Sequence, residues 1–479
     1  VSLNFLPQTV HFRLTLNSIY AWGYNNYGQL GNNTTAYRTQ IPVAVDISGV
    51  LAGKTITNAG AGYRHSIVLA SDGRAYAWGY NFGLLGSNTS NMLETVPVDI
   101  YMSGVLNGKT ITDVAAGNVH SVLLASDGRV YTCGSNNFGQ LGDNSINQSG
   151  VPVAVDISGV LSGKTITAVT AGQFHSVALS SEGNIYAWGS NNHGQLGDNS
   201  TTGSKIPVAV DMSGVLYSKT ITAVTAGIIH TVALASDGSV YSWGSNTNYG
   251  QLGNNSTTNS WVPVAVDVNG VLSGKTITAI AGGGYHTVAL ASDGSIYTWG
   301  NNSSGQLGNN STTNSSVPVA VDMSGVLLGK TIIAVAAGGY HSVALASDGS
   351  VYTWGYNDYG QLGNNSATNS SVPVQAVNGE NSGIVFPEKG IPKEFVLDQN
   401  YPNPFNPITT INFQLSAVSN VELSIYDMNG KIVETLVRES KSAGYYKVIW
   451  DASNVSSGIY FYRLQAGNFV ETKKMVFMK

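Results

Sequence analysis

The feature that most constrains this chain is a period. His65, His120, His175, His230, His286 and His341 follow one another at intervals of 55, 55, 55, 56 and 55 residues. A repeat of that length folds as a stack of like units, because one unit alone cannot bury its apolar faces. Each His opens a segment such as HSVALASDGSVYTWG at His341–Gly355, and a WG pair closes it at Trp78, Trp188, Trp243, Trp299 and Trp354, with Cys133 in the place of Trp once. A GQLG loop follows, beginning at Gly28, Gly139, Gly194, Gly250, Gly305 and Gly360, and as GLLG at Gly83. A Pro-Val pair comes next, then KTI from Lys54, Lys109, Lys164, Lys219, Lys275 and Lys330.

Each unit reads as four short strands: KTITAV, HSVALA, SVYTWG and PVAVD. They are β-branched or alternating, the SDG between the second and third is tight-turn chemistry, and the leading Pro of the fourth suits a strand start or an edge. His341, Val343 and Leu345 alternate with Ser342, Ala344 and Ala346, so both faces of the sheet must be covered. Small sheets packed face to face around an axis meet that demand, which predicts an all-β propeller. WG-type and Pro-Val segments occur seven times and KTI six times, giving seven blades. His11–Gly23, HFRLTLNSIYAWG, is a shortened second and third strand. The chain thus enters and leaves in mid-unit. The two ends are expected to complete one shared blade, with His11–Leu16 beside Val351–Gly355 and residues 1–10 supplying the missing strand.

Composition narrows the function. Charged residues make up only 10% of the chain and the net charge is -5, which provides no basic field for nucleic acid. The lone Cys133 excludes an internal disulfide, no Cys/His cluster has metal-ligand spacing, and no apolar run is long enough to span a membrane. No cofactor is expected. The chain opens on Val1 without a basic-then-apolar leader and is read as processed or incomplete at its amino terminus.

The recurring GxxHSxAL, DGxVYxWG and NxxGQLG, as at Gly338–Leu345, Asp348–Gly355 and Asn357–Gly363, resemble the regulator-of-chromosome-condensation repeat. That resemblance implies a seven-bladed propeller, a fold used by a eukaryotic exchange factor for a small GTPase and by a secreted bacterial β-lactamase inhibitor, so the fold does not fix the function.

The period covers residues 1–377 and stops there; 378–393, NGENSGIVFPEKGIPK, reads as a linker. From 394 to 479 the pattern is alternating, with strands at Thr410–Leu415, Val421–Tyr426, Tyr445–Trp450, Ile459–Leu464 and Phe469–Val476 and hairpins at Asn429-Gly430 and Gly467-Asn468. A small β-sandwich is predicted. FVLDQNYPNPFNPITTINFQL at Phe395–Leu415, YDMNGKIV at Tyr426–Val433 and SSGIYFYRLQ at Ser456–Gln465 resemble the type A carboxy-terminal sorting domain of type IX secretion substrates of the Bacteroidetes. Its motif here is Tyr401, Pro402, Asn403, Pro404, Phe405, Asn406 and Pro407. The resemblance implies export by the type IX machinery, processing by its sortase and an extracellular or outer-membrane-surface location.

Residues repeated blade after blade do not mark a catalytic site, which is singular. The repeated His is read as a side chain satisfied by a neighbouring strand, the Asp of SDG as turn chemistry, the strand Trp and Tyr as packing between blades, and the GQLG glycines as positive-φ turns. The Asn-x-Ser/Thr sequons at Asn33, Asn88, Asn199, Asn255 and Asn310 are read as incidental. Positions that break the period carry the information. Trp261 stands where Gln40, Thr95, Gly150, Lys205, Ser316 and Ser371 stand elsewhere, and Tyr101 where Asp46, Asp156, Asp211, Asp267 and Asp322 stand. Both are candidate partner-binding residues, with Trp261 expected to be partly exposed. The reading is a non-catalytic, secreted or surface binding and adhesion scaffold for an extracellular protein or glycan. Its alternatives are a propeller enzyme acting on an extracellular polymer and a guanyl-nucleotide exchange factor.

Overall fold

The computed structural model describes residues 3–5, 13–15, 18–81, 83–377, 395–400, 403, 405–441 and 444–478. The chain divides into two compact units, 1–379 and 380–479.

The first unit holds seven sheets of three to five strands, antiparallel but for one pair. The fourth blade shows the pattern: Ile166–Ala171, His175–Ser180, Ile185–Gly189 and Ser204–Ala209, hydrogen-bonded in chain order from the inner strand outward. The His-led second strand is buried along its whole length, as a sheet covered on both faces requires. Pro207 does not lead the outer strand; it lies inside it, where the register shifts between Ala187 and Gly189. An outer edge with a bulge tolerates a residue that has no N–H to give.

Among the described residues, the chain ends do not share a blade. Of the expected closing segment, His11, Phe12 and Leu16 lie outside the described residues, and Arg13–Thr15 pairs with Ser18–Tyr20 in its own sheet. Val351–Gly355 is flanked on both sides by strands of its own unit, His341–Ala346 and Ser370–Gln375. Because both neighbours of Val351–Gly355 come from its own unit, no place beside it is left for the amino-terminal segment. Leu3–Phe5 instead runs parallel to Ala59–Ala61, adding a fifth strand to the second blade. The first and seventh blades meet through side chains and loops: Trp22 Nε1 donates to the Gln361 carbonyl at 3.1 Å, and Asn365 N donates to the Gln40 carbonyl at 2.9 Å.

One junction recurs between blades and explains most of the repeat. The carbonyl of Gln195 in GQLG accepts Trp243 Nε1 at 3.0 Å and Thr231 Oγ1 at 2.9 Å, both from the next blade. Thr231 Oγ1 also lies 3.2 Å from His175 Nε2. Since the hydroxyl gives its one proton to the carbonyl, the imidazole must be the donor, which fixes the Nε2–H tautomer. His65–Ser121, His120–Ser176, His230–Thr287 and His286–Ser342 repeat this contact. Burial pushes His120 down to about 3, so the ladder stays neutral across the physiological range. Cys133, in a Trp position, places its sulfur 3.8 Å from the Leu84 carbonyl, and burial raises its thiol to about 12, which makes it inert.

The SDG aspartates do more than turn the chain. Asp293 accepts from Ser295 N at 3.0 Å and also pairs with Lys275 at 2.6 Å; the Lys275 ammonium holds it down to about 2. Every KTI lysine makes this bridge within its own unit. These pairs are solvent-accessible and add little stability.

The second unit is two sheets, one of Val396–Leu397, Ile408–Leu415 and Gly444–Asp451, the other of Ser419–Tyr426, Ile432–Lys441, Gly458–Ala466 and Phe469–Phe477. Ile411, Phe413 and Leu415 from the first meet Leu423, Ile425 and Leu464 from the second in one core. Sequence periodicity missed Ile432–Lys441. This edge strand is largely exposed and carries Glu434, Arg438 and Glu439, charges that deter further strand pairing but blur alternation.

Candidate functional site

In an antiparallel four-stranded blade the first–second and third–fourth connections emerge at one end and the others at the opposite end. The first of these faces carries the candidate site. Three loop positions on it vary between units: the residue before the ladder His, the residue after WG and the residue before GQLG. In the fifth, sixth, seventh, first and second blades at least one of these positions is Tyr. The rings touch in sequence: Tyr249 to Tyr285 at 5.3 Å, Tyr285 to Tyr340 at 5.8 Å, Tyr340 to Tyr356 at 6.2 Å and Tyr356 to Tyr359 at 6.0 Å. The arc continues from Tyr359 to Tyr24 at 5.0 Å, to Tyr27 at 6.0 Å and to Tyr80 at 5.3 Å. Half-buried rings in tilted and edge-to-face contact form a firm amphipathic surface. Burial raises Tyr285 and Tyr340, and burial together with Asp358 raises Tyr356, so their hydroxyls stay protonated and donate as well as accept.

Arg64 sits at the second-blade end of the arc, its guanidinium 4.6 Å from the Tyr27 ring centroid, 5.2 Å from Tyr63 and 5.5 Å from Tyr80. On the remaining third and fourth blades the pair Phe138 and Phe174 stands 4.7 Å apart.

Near the axis a second group breaks the period. Asp113, on the inner strand of the third blade, replaces the Ala168, Ala223, Ala279 and Ala334 of other units. It accepts from Asn58 Nδ2 at 2.6 Å, Val114 N at 2.9 Å and Val169 N at 3.3 Å, linking the inner strands of three blades. Desolvation raises it to about 6 despite those donors. Its bonds lie within the scaffold, and among the described residues no cluster of three or more His, Cys, Asp or Glu could hold a metal.

Trp261 is 50% exposed, near the start of the outer strand Ser260–Ala265 and therefore at the arc's end of the fifth blade. It lies over Gly194 of the fourth blade, where a Cβ would come within 2.6 Å of its ring. Tyr101 is 36% exposed and lies at the opposite face. There it lines an open cleft of about 530 Å³ with Arg74, Asp99 and Met102. In other units an Asp at its position accepts the backbone N–H two residues on, as Asp156 does from Ser158 N at 2.7 Å; Tyr101 cannot, and a short 3-10 turn, Gly104–Leu106, follows. The two residues thus sit apart from each other.

Comparison with known proteins agrees with this architecture. Residues 13–273 match the RCC1-like domain, and 293–345 and 348–385 match the regulator of chromosome condensation (RCC1) repeat. The chain belongs to the RCC1 repeat family. It is 30% identical to the ultraviolet-B receptor UVR8 of Arabidopsis thaliana over 356 residues, covering 74% of this chain and 76% of UVR8. It is 31% identical to the human E3 ubiquitin-protein ligase HERC2 over 348 residues, 72% of this chain but 7% of HERC2. Among solved structures, Prp20p of Saccharomyces cerevisiae superposes with a TM-score of 0.66 at 24% identity, covering 78% of this chain and 89% of that one.

Residues 399–478 match the secretion system C-terminal sorting domain, which directs this RCC1 repeat protein to the cell surface or the extracellular space. Among the described residues no helix is long and apolar enough to cross a membrane. Of the sorting motif, Tyr401, Pro402 and Pro404 lie outside the described residues. Phe405 is buried, stacks at 5.2 Å on Phe477 and bridges backbone to it, while Asn403 Oδ1 accepts Val476 N at 2.9 Å. Asn406 is exposed, and the Pro407 carbonyl accepts Ala452 N at 2.9 Å. The motif therefore ties the start of the sorting domain to its last strand.

Sequence reasoning singled out Trp261 and Tyr101 but missed the arc. The signal was present: the rule that period-breaking positions carry information applies equally to Arg64, Tyr285 and Tyr340, whose equivalents include Val119 and Ile229. Tyr was weighed only on strands, where it packs between blades.

Proposed function

We propose that this RCC1 repeat protein is a non-catalytic scaffold, displayed outside the cell, that grips a protein partner through the tyrosine-bearing face. The observation that carries the reading is the unbroken arc of Tyr rings over five consecutive blades, at positions where the repeat itself demands no aromatic. Tyr and Arg are the residues that concentrate binding energy at interfaces, and Tyr offers large contact area for little lost side-chain freedom. The other repeated groups are consumed by the scaffold, and Asp113 is held among its inner strands, so neither an enzyme acting on an extracellular polymer nor an exchange-factor role draws support from them. Trp261 extends the same face outward, and we assign it a peripheral anchoring role; the Tyr101 cleft, on the opposite face, is assigned a separate contact.

The test is binding of the full chain to short peptides arrayed beside neutral glycans. Replacing Tyr285 and Tyr340 together by Ser should weaken the strongest peptide interaction at least about tenfold, and Trp261→Ala should cost about 2 kcal/mol, with thermal midpoints nearly unchanged. Affinity unaltered in the double variant removes the face from the reading, and preferential retention of neutral glycans replaces the partner class. Export is separable: deletion of residues 394–479 should leave the propeller inside the outer membrane, as judged by surface protease protection. A truncated chain found at the surface contradicts the role given to the sorting domain.

A further inference from the structure

Resting on the binding role proposed for the tyrosine face, we infer that Arg64 is the receptor for a carboxylate on the bound protein segment, an Asp or Glu side chain that enters among Tyr27, Tyr63 and Tyr80. Arg64 breaks the repeat. The equivalent residues are Val119, Phe174, Ile229, Tyr285 and Tyr340, none of them charged, so the scaffold itself needs no cation there.

Most of the propeller's cations are paired with a carboxylate, and Arg129 and Lys205, which are not, are exposed to water. The KTI lysines are paired with SDG carboxylates or Glu182, and Arg74 with Asp99, whereas no ion pair among the described residues includes Arg64. Its Nε is buried and has no hydrogen-bond partner; among such orphaned atoms of the described residues it is the one on a charged group. Leaving a charged donor desolvated and unpaired is costly, and a bound acceptor recovers that cost.

The three rings do not compete with such an acceptor. Aromatic rings attract the faces of a guanidinium, while its N–H groups point outward in the plane, where a carboxylate binds them in bidentate fashion. A single acidic side chain fits better than a polyanion. Of the other cations on this face, Arg38 already donates to the Asp358 carbonyl and is linked to Arg64 through the neutral rings of Tyr37, Tyr24 and Tyr27, and Lys205 stands on the fourth blade, outside the tyrosine arc. A uronate polymer or a nucleic acid would need a row of cations, and the net charge of -5 opposes one.

The experiment uses the purified full-length chain and pairs of short Tyr/Ser/Gly-based peptides that differ by one Glu or Gln, with alginate and inorganic phosphate as separate arms. Glu peptides should bind at least about tenfold more tightly than their Gln partners. Arg64→Gln should abolish that preference while leaving the Gln peptides unchanged, and Arg64→Lys should restore part of it. Equal binding of Glu and Gln peptides overturns the inference, as does a preference that survives Arg64→Gln, or Arg64-dependent capture of alginate or phosphate without any of peptides. If peptides bind through Tyr285 and Tyr340 without preferring Glu, the carboxylate receptor falls and the scaffold reading stands. If none binds, both fall.

Discussion

Gly227→Ala should destabilise the propeller by about 3 kcal/mol or more, while Gly214→Ala in the loop leading into the same blade should change stability by less than about 1 kcal/mol. A Cβ on Gly227 would stand 2.2 Å from Cε1 and 2.4 Å from Nδ1 of His230, and 2.5 Å from the Gly283 carbonyl of the next blade. Neither neighbour can give way. The imidazole is held 3.2 Å from Thr287 Oγ1 across the junction, and the carbonyl belongs to the backbone of the sixth blade. Gly214, in a loop, has nothing within 4 Å of its would-be Cβ. Both substitutions restrict the unfolded chain alike, so their difference isolates the junction. Denaturant titration of the two variants reads it directly. Equal midpoints would show that the His ring does not set the spacing between blades.

The same junction shows why the fold was legible. Period, SDG turns and the requirement to cover both faces of each sheet are local consequences of residue order, and they led from His65 and its copies to seven four-stranded units without any knowledge of contacts. The mode of ring assembly was not legible. Whether Arg13–Thr15 can lie beside Val351–Gly355 depends on whether that strand has a free side, and the pairing of Ser370–Gln375 takes it, a stretch whose internal Pro373 pointed instead to a strand beginning at the proline. The edge strand Ile432–Lys441 escaped because charge that protects an edge also erases alternation. The candidate site was half legible. Trp261 is exposed as its polar equivalents suggested, but the arc is a property of neighbours from different units: Tyr249 and Tyr285 are far apart in any window of sequence and 5.3 Å apart in space. Arg64 shows the same limit, since its rings come from the first and second blades.

The pH dependence of stability should carry the signature of one residue, Asp113. Its folded-state carboxyl is raised to about 6 from an ordinary 3.8, chiefly by desolvation, so folding favours the protonated form. A raised acid contributes stability that is fully present below its unfolded value and is lost as pH climbs through its folded value. The window is thus pH 4 to 7. A shift of about two units corresponds to about 3 kcal/mol, an upper figure because the side chain is not wholly shielded from water. Asp113→Asn cannot titrate. Its amide oxygen can still accept from Asn58 Nδ2 and Val114 N, and it gives up only the longest contact, the 3.3 Å bond from Val169 N. Relative to this variant, the parent should therefore lose roughly 2–3 kcal/mol of stability between pH 4 and pH 8, whatever the offset at either end. The buried histidines leave the comparison undisturbed, because His65 and His230, at about 4, and His120, His175 and His286, at about 3, are the same in both proteins. Unfolding midpoints measured at matched ionic strength across that range decide the matter. A difference between parent and variant that stays flat from pH 4 to pH 8 would mean that Asp113 remains ionised throughout, satisfied by its three donors.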